Sequence, residues 1–240
     1  MPEHMDAGAN VVSSPVFFSV NVKNDQNVAN YFSVFQDPCL YTDIPEVHVV
    51  SLFSRALPAK AQGGQLTLIA STQVYAGVQD AEARPPEPGY VATYATAVQP
   101  ISLAAPGNIP PNHNTSDMIY DTDSGALGLS IPENSPSVPA GSFEIVIPSF
   151  NSPPRHFNVG AALIIDGRVV LSNYVRARPQ ISIVCRPLLR FYVVAGRHRA
   201  GTTVDSSELA SRSALCDFTG GCVQANITYL PNGSWDVQMT

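Results

Sequence analysis

Apolar and polar residues alternate over short stretches of this chain, and the clearest stretch is residues 16–22. Every second position there is apolar, namely Val16, Phe18, Val20 and Val22. A period of two residues is typical of a half-buried strand, because successive side chains point to opposite faces of a sheet. The stretch therefore predicts a β-strand whose apolar set faces the core.

Similar short runs, rich in Val, Ile, Phe, Tyr and Thr and separated by Gly, Pro, Asn and Asp, follow along the chain. Such punctuation is typical of strands joined by turns. A first group of predicted strands covers residues 31–36, 47–53, 65–78 and 90–98. A second group covers residues 143–148, 158–165, 169–173, 180–185, 190–195, 225–230 and 234–239. The pattern predicts an all-β protein, an antiparallel β-sandwich with one or two lobes.

Two dipeptides predict tight hairpins. Asp166-Gly167 separates two runs of aliphatic residues, and Asn232-Gly233 separates residues 227–229 from residues 235–237. Both dipeptides suit hairpin turns that need a positive φ angle. We therefore expect the strands on either side of each dipeptide to pair with one another.

A proline-rich segment separates the two groups of strands. Of the 21 prolines, 13 fall within residues 85–154, and residues 104–142 are also rich in Asn, Ser and Gly. We predict one domain over residues 16–240 with an irregular insertion at 104–142, of the kind that often forms a lid or a binding wall. Residues 1–15 are predicted to be a disordered N-terminus or a remnant of recombinant expression.

Charge and hydropathy limit the kinds of molecule that the protein is expected to bind. Charged residues make up 13% of the chain, the formal net charge is −6, and the basic residues are scattered. Nucleic acid is therefore an unexpected partner. No apolar run reaches the roughly 20 residues that a membrane-spanning helix needs, so we expect no membrane span.

Sequons and cysteines give an indication of the cellular compartment in which the protein resides. Asn114, Asn226 and Asn232 each begin an Asn-x-Ser/Thr sequon, which is the signal for N-glycosylation in secreted proteins. The even number of cysteines is compatible with disulfides, including a staple between Cys216 and Cys222, or with buried thiols. We expect passage through the secretory pathway, with a cytoplasmic location as the alternative.

Motifs of cofactor-dependent and nucleophilic enzymes are absent from the sequence. It has no HExxH or HxH motif, no GxSxG elbow, no P-loop and no GxGxxG. We therefore expect neither a metal nor a cofactor. What remains is a set of cationic and phenolic residues set inside apolar strands.

Alternation groups some of these residues into pairs. Tyr174 and Arg176 share one side of their predicted strand, and Arg190 and Tyr192 share one side of theirs. If both pairs lined one pocket, they would offer donors to an anionic or carbonyl oxygen inside apolar walls. The predicted catalytic residues are Arg176, Arg190, Tyr192, His48 and His156, and the predicted substrate-binding residues are Tyr75, Tyr174, Arg155, Phe157 and Tyr120.

Several stretches resemble a group of fungal and bacterial β-sandwich proteins. In the N-terminal half these are residues 30–38 (NYFSVFQDP), residues 47–53, and the Gly63-Gly64 turn into residues 65–78. In the C-terminal half they are residues 183–196 and 200–205, Cys216-Asp217-Phe218-Thr219 and Gly233-Ser234-Trp235. The resemblance implies a β-sandwich but no particular activity.

The all-β build is also similar to that of fungal intermolecular hetero-Diels–Alderases, which join a tropolone-type quinone methide to a macrocyclic terpene such as humulene. This similarity implies a cofactor-independent pericyclase with hydrophobic small-molecule substrates, in which Arg176 and Arg190 hold the tropolone-like oxygens. Tyr192, His48 or His156 would then assist proton transfer. The alternatives left open are a secreted lectin-like or other ligand-binding sandwich without catalytic activity, and a homodimer in place of a monomer.

Overall fold

The computed structural model describes residues 17–42, 44, 46–82, 96–107, 113–165, 168–204, 209 and 211–240. These residues form an all-β protein, with a short 3-10 helix at Lys60–Gln62 and helical backbone at residues 209 and 211–212. The strands before the proline-rich segment and at its start are β1 (Phe17–Asn24), β2 (Asn30–Gln36), β3 (Leu40–Tyr41), β4 (His48–Leu57), β5 (Gln65–Ser71), β6 (Val74–Ala81) and β7 (Thr96–Ile101). The middle strands are β8 (Thr115–Tyr120), β9 (Leu127–Leu129), β10 (Phe143–Val146), β11 (His156–Ile165) and β12 (Arg168–Arg176). The last strands are β13 (Ser182–Arg186), β14 (Arg190–Ala195), β15 (Thr203–Val204), β16 (Ser213–Asp217), β17 (Gln224–Tyr229) and β18 (Trp235–Met239).

The strands form two sheets. The larger sheet has the order β16-β14-β2-β4-β12-β11-β5-β1-β17-β18, with β15 attached to β4 and the pair β6-β7 attached to β11. The smaller sheet has the order β3-β13-β10-β8-β9. Pairing is antiparallel except between β1 and β17 and between β8 and β10.

The first core lies inside the curled larger sheet. The ends of that sheet come together, because β16 lies beside β18 and Trp235 Nε1 donates to the Arg212 carbonyl at 3.1 Å. The nearly closed sheet surrounds a core whose largest members include Phe18, Phe32, Leu68, Phe191 and Ile227. The apolar set predicted for the first strand is confirmed for Phe18, Val20 and Val22, which are all buried, whereas Val16 lies outside the described residues.

A second core lies between the two sheets. One side comes from β6, β11 and β12, and the other comes from the smaller sheet; its largest members include Phe143, Ile145, Phe157 and Ile183. The described residues therefore form one continuous larger sheet with two large apolar cores. Strand β11 belongs to both cores, because Val159 and Ala161 pack in the second one and Leu163 and Ile165 in the first.

A β-bulge marks the point at which β11 passes from one core to the other. The register with β12 shifts between Ala161 and Ala162, so that Ala161 pairs with Asn173 and Ala162 with Leu171. Next to the bulge, a side chain on Gly160 would put its Cβ 2.1 Å from the Asn173 carbonyl oxygen. Glycine is therefore required at this position, because backbone occupies the space of any side chain.

The predicted hairpins are present as strand pairs. Strands β11 and β12 pair as far as Ile165 and Arg168, and residues 166–167 between them lie outside the described part of the chain. Strands β17 and β18 pair around residues 230–234, and Gly233 has the expected positive φ of 81°. The predicted run at 65–78 is two strands, β5 and β6, separated by residues 72–73.

The expectation of an irregular insertion at 104–142 is wrong in part. Strand β8 lies inside it and pairs with both β9 and β10, so the segment adds two strands to the smaller sheet. The physical reason is alternation in β8, where Ser116 and Met118 are buried and Asp117 and Ile119 are exposed. Residues 108–112 of this segment lie outside the described part.

The cysteines are free thiols. Cys39, Cys185 and Cys216 are buried and Cys222 is half-buried. The predicted staple between Cys216 and Cys222 is therefore wrong, because both thiols are free; Cys216 belongs to the first core and Cys222 packs against it. Burial there raises the pKa of the Cys216 thiol to about 12.

Candidate functional site

The outer face of the larger sheet, on the side away from the second core, carries a group of polar side chains within apolar surroundings. Register pairs His48 on β4 with Tyr174 on β12, so the two side chains lie on the same face. Their rings are stacked with centroids 5.0 Å apart and planes inclined by 29°. Both are buried, with 9% of His48 and 3% of Tyr174 exposed.

Arg176 and Asn158 continue this face by one row. Arg176 follows Tyr174 by two residues and pairs in register with Asn158 on β11. The Asn158 side chain is buried at 4% exposure and donates through Nδ2 to Gln79 Oε1 at 3.2 Å. Its Oδ1 is buried and has no hydrogen-bond partner among the described residues. A buried acceptor without a donor costs free energy, so this oxygen would gain from any donor group that reaches it.

The charge state of His48 is set by its surroundings. Burial lowers the pKa of His48 most, Glu46 raises it, and the Arg176 guanidinium lowers it again. Glu46 is exposed, and its Oε1 lies 3.7 Å from His48 Nε2. Because the balance lowers the pKa below its ordinary value of 6.5, His48 is a neutral imidazole at pH 7, with one donor and one acceptor nitrogen.

Apolar residues surround these polar groups. Val50, Ala162, Leu171 and Tyr174 form one buried cluster, and Tyr75 packs against it from β6. Gly77 lies beside this cluster, where a Cβ would come within 2.7 Å of Leu171 Cδ1. The Tyr174 hydroxyl is hydrogen-bonded to Thr203 Oγ1 on β15 at 3.0 Å, which fixes the ring under His48. We call His48, Tyr174, Arg176, Asn158 and their apolar neighbours the His48 site.

Arg190 and Tyr192 do not belong to the His48 site. Tyr192 packs on the cluster of Phe35 and Val49, and Val49 points to the opposite face of β4 from His48. In the sheet, β4 and β2 separate β12 from β14, a distance of roughly 14 Å at the usual strand spacing. The predicted pocket lined by both arginines is therefore not formed.

The partner of Arg190 is a carboxylate. Arg190 Nη2 forms a salt bridge with Asp37 Oδ2, and Asp217 is its register partner on β16. Burial raises the pKa of Tyr192 above its ordinary value, and the Asp37 carboxylate raises it further. This group joins the ends of β2, β14 and β16, and its charge is already balanced by carboxylates.

The remaining predicted residues lie at one end of the second core. The Arg155 guanidinium carbon lies 5.8 Å from the centroid of the Tyr120 ring, which in turn packs on Phe157 at 4.9 Å. Phe157 is 1% exposed and belongs to the core, so the prediction that it binds substrate does not fit its position. His156 is half-buried at the start of β11, two residues before Asn158 and on the same face.

Of the predicted site residues, His48, Tyr174, Tyr75 and Arg176 lie together in the structure, and Asn158, which the sequence did not single out, lies with them. Asn158 alternates with apolar Phe157 and Val159, which is the normal pattern of a strand with one solvated face. The signal is the burial of this polar position in the folded chain, which alternation alone does not reveal. Glu46 and Thr203 were missed for the same reason, since their importance depends on contacts between strands distant in sequence.

Two further features are absent from the described part of the chain. That part has no group of three or more His, Cys, Asp or Glu side chains arranged to hold a metal ion. It also contains no helix with the length and apolar character of a membrane span.

Comparison with known proteins gives no relative: no family model, no curated protein sequence and no solved structure matches this chain. The resemblance to fungal and bacterial sandwich proteins and to hetero-Diels–Alderases therefore stays a prediction.

Proposed function

We propose that the His48 site binds an apolar small molecule carrying a hydroxyl beside a carbonyl, and that the protein acts there as a cofactor-independent pericyclase. The observation that carries the proposal is the buried Asn158 Oδ1, which has no donor among the described residues and whose register partner is the cation Arg176. A vicinal hydroxyl and carbonyl, as in tropolone, presents one donor and one acceptor to such a pair.

The geometry of the pair supports this ligand chemistry. Side chains directly opposite each other on antiparallel strands have Cβ atoms about 4.5–5.5 Å apart. Asn158 would accept the ligand hydroxyl while Arg176 donates to the neighbouring oxygen. A charge-assisted bond from a guanidinium is roughly twice as strong as a neutral one, so Arg176 contributes most to orienting the oxygen.

His48 supplies a second polar contact without adding charge. As a neutral imidazole stacked on Tyr174, it can donate to a carbonyl or accept the proton of a hydroxyl. In the reaction implied by the similarity to hetero-Diels–Alderases, loss of water gives a quinone methide, and a neutral base near the ring oxygen assists that step.

The pericyclic step itself needs no covalent contact with the protein. Donors on the heterodiene oxygen lower the barrier by withdrawing electron density, and the apolar cluster of Val50, Ala162 and Leu171 holds the alkene partner beside it. Loss of one such positioned donor typically costs about 100-fold to 1,000-fold in rate. Arg176 is the donor for which we expect that loss.

The test has a binding arm and a reaction arm. Isothermal titration with tropolone should show binding by the wild type and at least tenfold weaker binding by Asn158→Ala and Arg176→Gln. Incubation with a quinone-methide precursor and humulene should give more product, with one enantiomer in excess, than the reaction without protein. Arg186→Gln, which removes an exposed guanidinium at the end of β13 in the smaller sheet, is the matched control and should behave as the wild type.

Each arm has an outcome that overturns its part of the proposal. Absence of tropolone binding by the wild type would remove the ligand assignment. Product yield and stereochemistry equal to those of the protein-free reaction would remove the catalytic assignment, even where binding is measured.

A lectin-like binding protein is the second candidate, and the outer face of β5, β1, β17 and β18 favours it. Thr67 Oγ1 donates to Asn21 Oδ1 at 2.7 Å, and Asn21 Nδ2 and Gln224 Nε2 donate to Asn226 Oδ1 at 2.9 and 2.8 Å. Neutral amides and hydroxyls held by one another suit the hydroxyl groups of a sugar. A glycan array would separate the candidates, since saturable glycan binding abolished by Asn21→Ala supports this one and its absence removes it.

Passage through the secretory pathway remains part of the proposal, and it rests on the sequons. A chain that meets the glycosylation machinery will carry glycans where the acceptor asparagine is accessible. The three sequons differ in this respect.

A further inference from the structure

The sequon Asn232-Gly233-Ser234 forms the exposed tip of the β17–β18 hairpin. Asn232 Oδ1 accepts the backbone N–H of Ser234 at 3.0 Å and the Ser234 hydroxyl at 2.7 Å. This is an Asx-turn in which the third residue of the sequon folds back onto the first. All three residues are exposed, and Gly233 supplies the positive φ of 81° that the turn needs.

The turn leaves one edge of the Asn232 amide open. Both hydrogen bonds go to Oδ1, and Nδ2 has no hydrogen-bond partner among the described residues. Two backbone hydrogen bonds hold the turn in place. The Gly233 N–H donates to the Leu230 carbonyl at 2.9 Å, and the Leu230 N–H donates to the Ser234 carbonyl at 2.9 Å. The amide nitrogen is therefore held in solvent on a rigid hairpin.

Asn114 is the opposite case. Its side chain is 0% exposed, its Oδ1 accepts the Ser135 N–H at 2.8 Å, and its Nδ2 donates to the Ser135 carbonyl at 3.1 Å. A sugar on Nδ2 would replace that hydrogen bond and would have to occupy filled space. A glycan at Asn114 is thus incompatible with the fold.

Asn226 lies in the middle of β17, between Asn21 on β1 and Gln238 on β18. Its backbone is paired on both sides, so Thr228 stays one strand repeat away, roughly 7 Å along the strand. The hydroxyl of Thr228 cannot fold back onto the Asn226 side chain without breaking the backbone hydrogen bonds of β17 to β1 and β18. The bent geometry of Asn232 is not available to Asn226 in the folded chain.

We propose that Asn232 is the N-glycan acceptor of this chain and that Asn114 and Asn226 are not. In the transfer, Asn232 Nδ2 attacks the anomeric carbon of an oligosaccharide carried on a lipid diphosphate. The C–N bond forms as the bond between that carbon and the diphosphate oxygen breaks, the lipid diphosphate leaves, and an amide proton passes to a base of the transferase. The proposal rests on the secretory location proposed above but not on the His48 site.

The experiment directs the full chain into the secretory pathway of yeast through an added cleavable leader, and maps the product by mass spectrometry. We expect intact glycopeptides at Asn232 and none at Asn114 or Asn226. Treatment with a peptide N-glycosidase in H₂¹⁸O should convert Asn232 to labelled aspartate. A sample without the glycosidase controls for spontaneous deamidation, to which an Asn-Gly step is prone.

Variants at the hairpin test whether the glycan depends on the Asn232 amide and on a hydroxyl at residue 234. Asn232→Gln and Ser234→Ala should each remove the glycan, and Ser234→Thr should retain it, because threonine supplies the same hydroxyl. Asn226→Gln is the matched control and should leave the glycan in place. An unmodified Asn232 overturns the proposal, whether another sequon carries the glycan or no sequon does. The proposed ligand binding at the His48 site does not depend on the glycosylation result.

Discussion

Asn173 fixes the strand that carries Tyr174, and its replacement tests how the His48 site is held in place. The Asn173 side chain is fully buried, and its Oδ1 accepts the backbone N–H of buried Cys39 at 3.1 Å. Its Nδ2 donates to Gln36 Oε1 at 3.3 Å. In Asn173→Ala, the Cys39 N–H loses its acceptor in a place that water does not reach.

The expected cost follows from counting the groups left without partners. The orphaned Cys39 N–H costs about 1–3 kcal/mol. Gln36 Oε1 adds little, because it keeps the Ser172 hydroxyl at 2.6 Å. For a domain of this size 1 kcal/mol lowers Tm by about 2–4 °C, so Asn173→Ala should lower Tm by roughly 2–12 °C.

Differential scanning calorimetry and urea unfolding measure this loss. Asn30→Ala is the matched control, because Asn30 donates at the surface to the Val28 carbonyl at 3.3 Å and water can replace that bond. We expect the control to lie within about 0.5 kcal/mol of the wild type. A free energy of unfolding for Asn173→Ala equally close to the wild type would refute the assigned role of this amide.

Three further predictions concern other parts of the molecule. His48→Phe keeps the stack on Tyr174 but removes the titratable group. Because folding lowers the pKa of His48, the free energy of unfolding of the wild type should fall as pH drops below 6.5. In urea titrations at several pH values, the variant should lose less stability over the same range. Parallel plots of stability against pH would contradict the lowered pKa of His48. Gly160→Ala should fail to fold or lose at least about 3 kcal/mol of stability in urea unfolding, because its Cβ would lie 2.1 Å from the Asn173 carbonyl oxygen. A variant as stable as the wild type would contradict this close backbone contact. In native protein a maleimide should label half-buried Cys222 well before buried Cys216, whose pKa of about 12 suppresses the thiolate; equal rates by mass spectrometry would contradict the burial of Cys216.

The strands were predictable wherever alternation or a turn dipeptide marked them. The first strand and the β17–β18 hairpin follow from local sequence, because period-two burial and the Asn-Gly step act within a few residues. Strand β8 was missed because the surrounding Pro and Asn suggested a loop, although Met118 alternates with exposed neighbours. Strand β16, residues 213–217, was also missed, since its apolar set is short and its stability comes from pairing with β14.

The candidate site was predictable only in part. Tyr174 and Arg176 share a face because they are two residues apart on one strand, which sequence reveals. The joining of that face to His48 depends on the pairing of β4 with β12, and the separation of Arg190 depends on the order of strands in the sheet. Pairings between strands more than 100 residues apart are set by the whole fold and are not encoded in any one stretch.

The parallel pairing of β1 with β17 sets an order of events during synthesis. The first core contains residues from Phe18 to Ile227, so it cannot close until nearly all of the chain has left the ribosome. The second core draws on residues between Cys39 and Cys185 and has its strands available earlier. A nascent chain stopped before β17 would expose the apolar face of β1, which makes it a substrate for chaperones and prone to aggregation until the last two strands arrive.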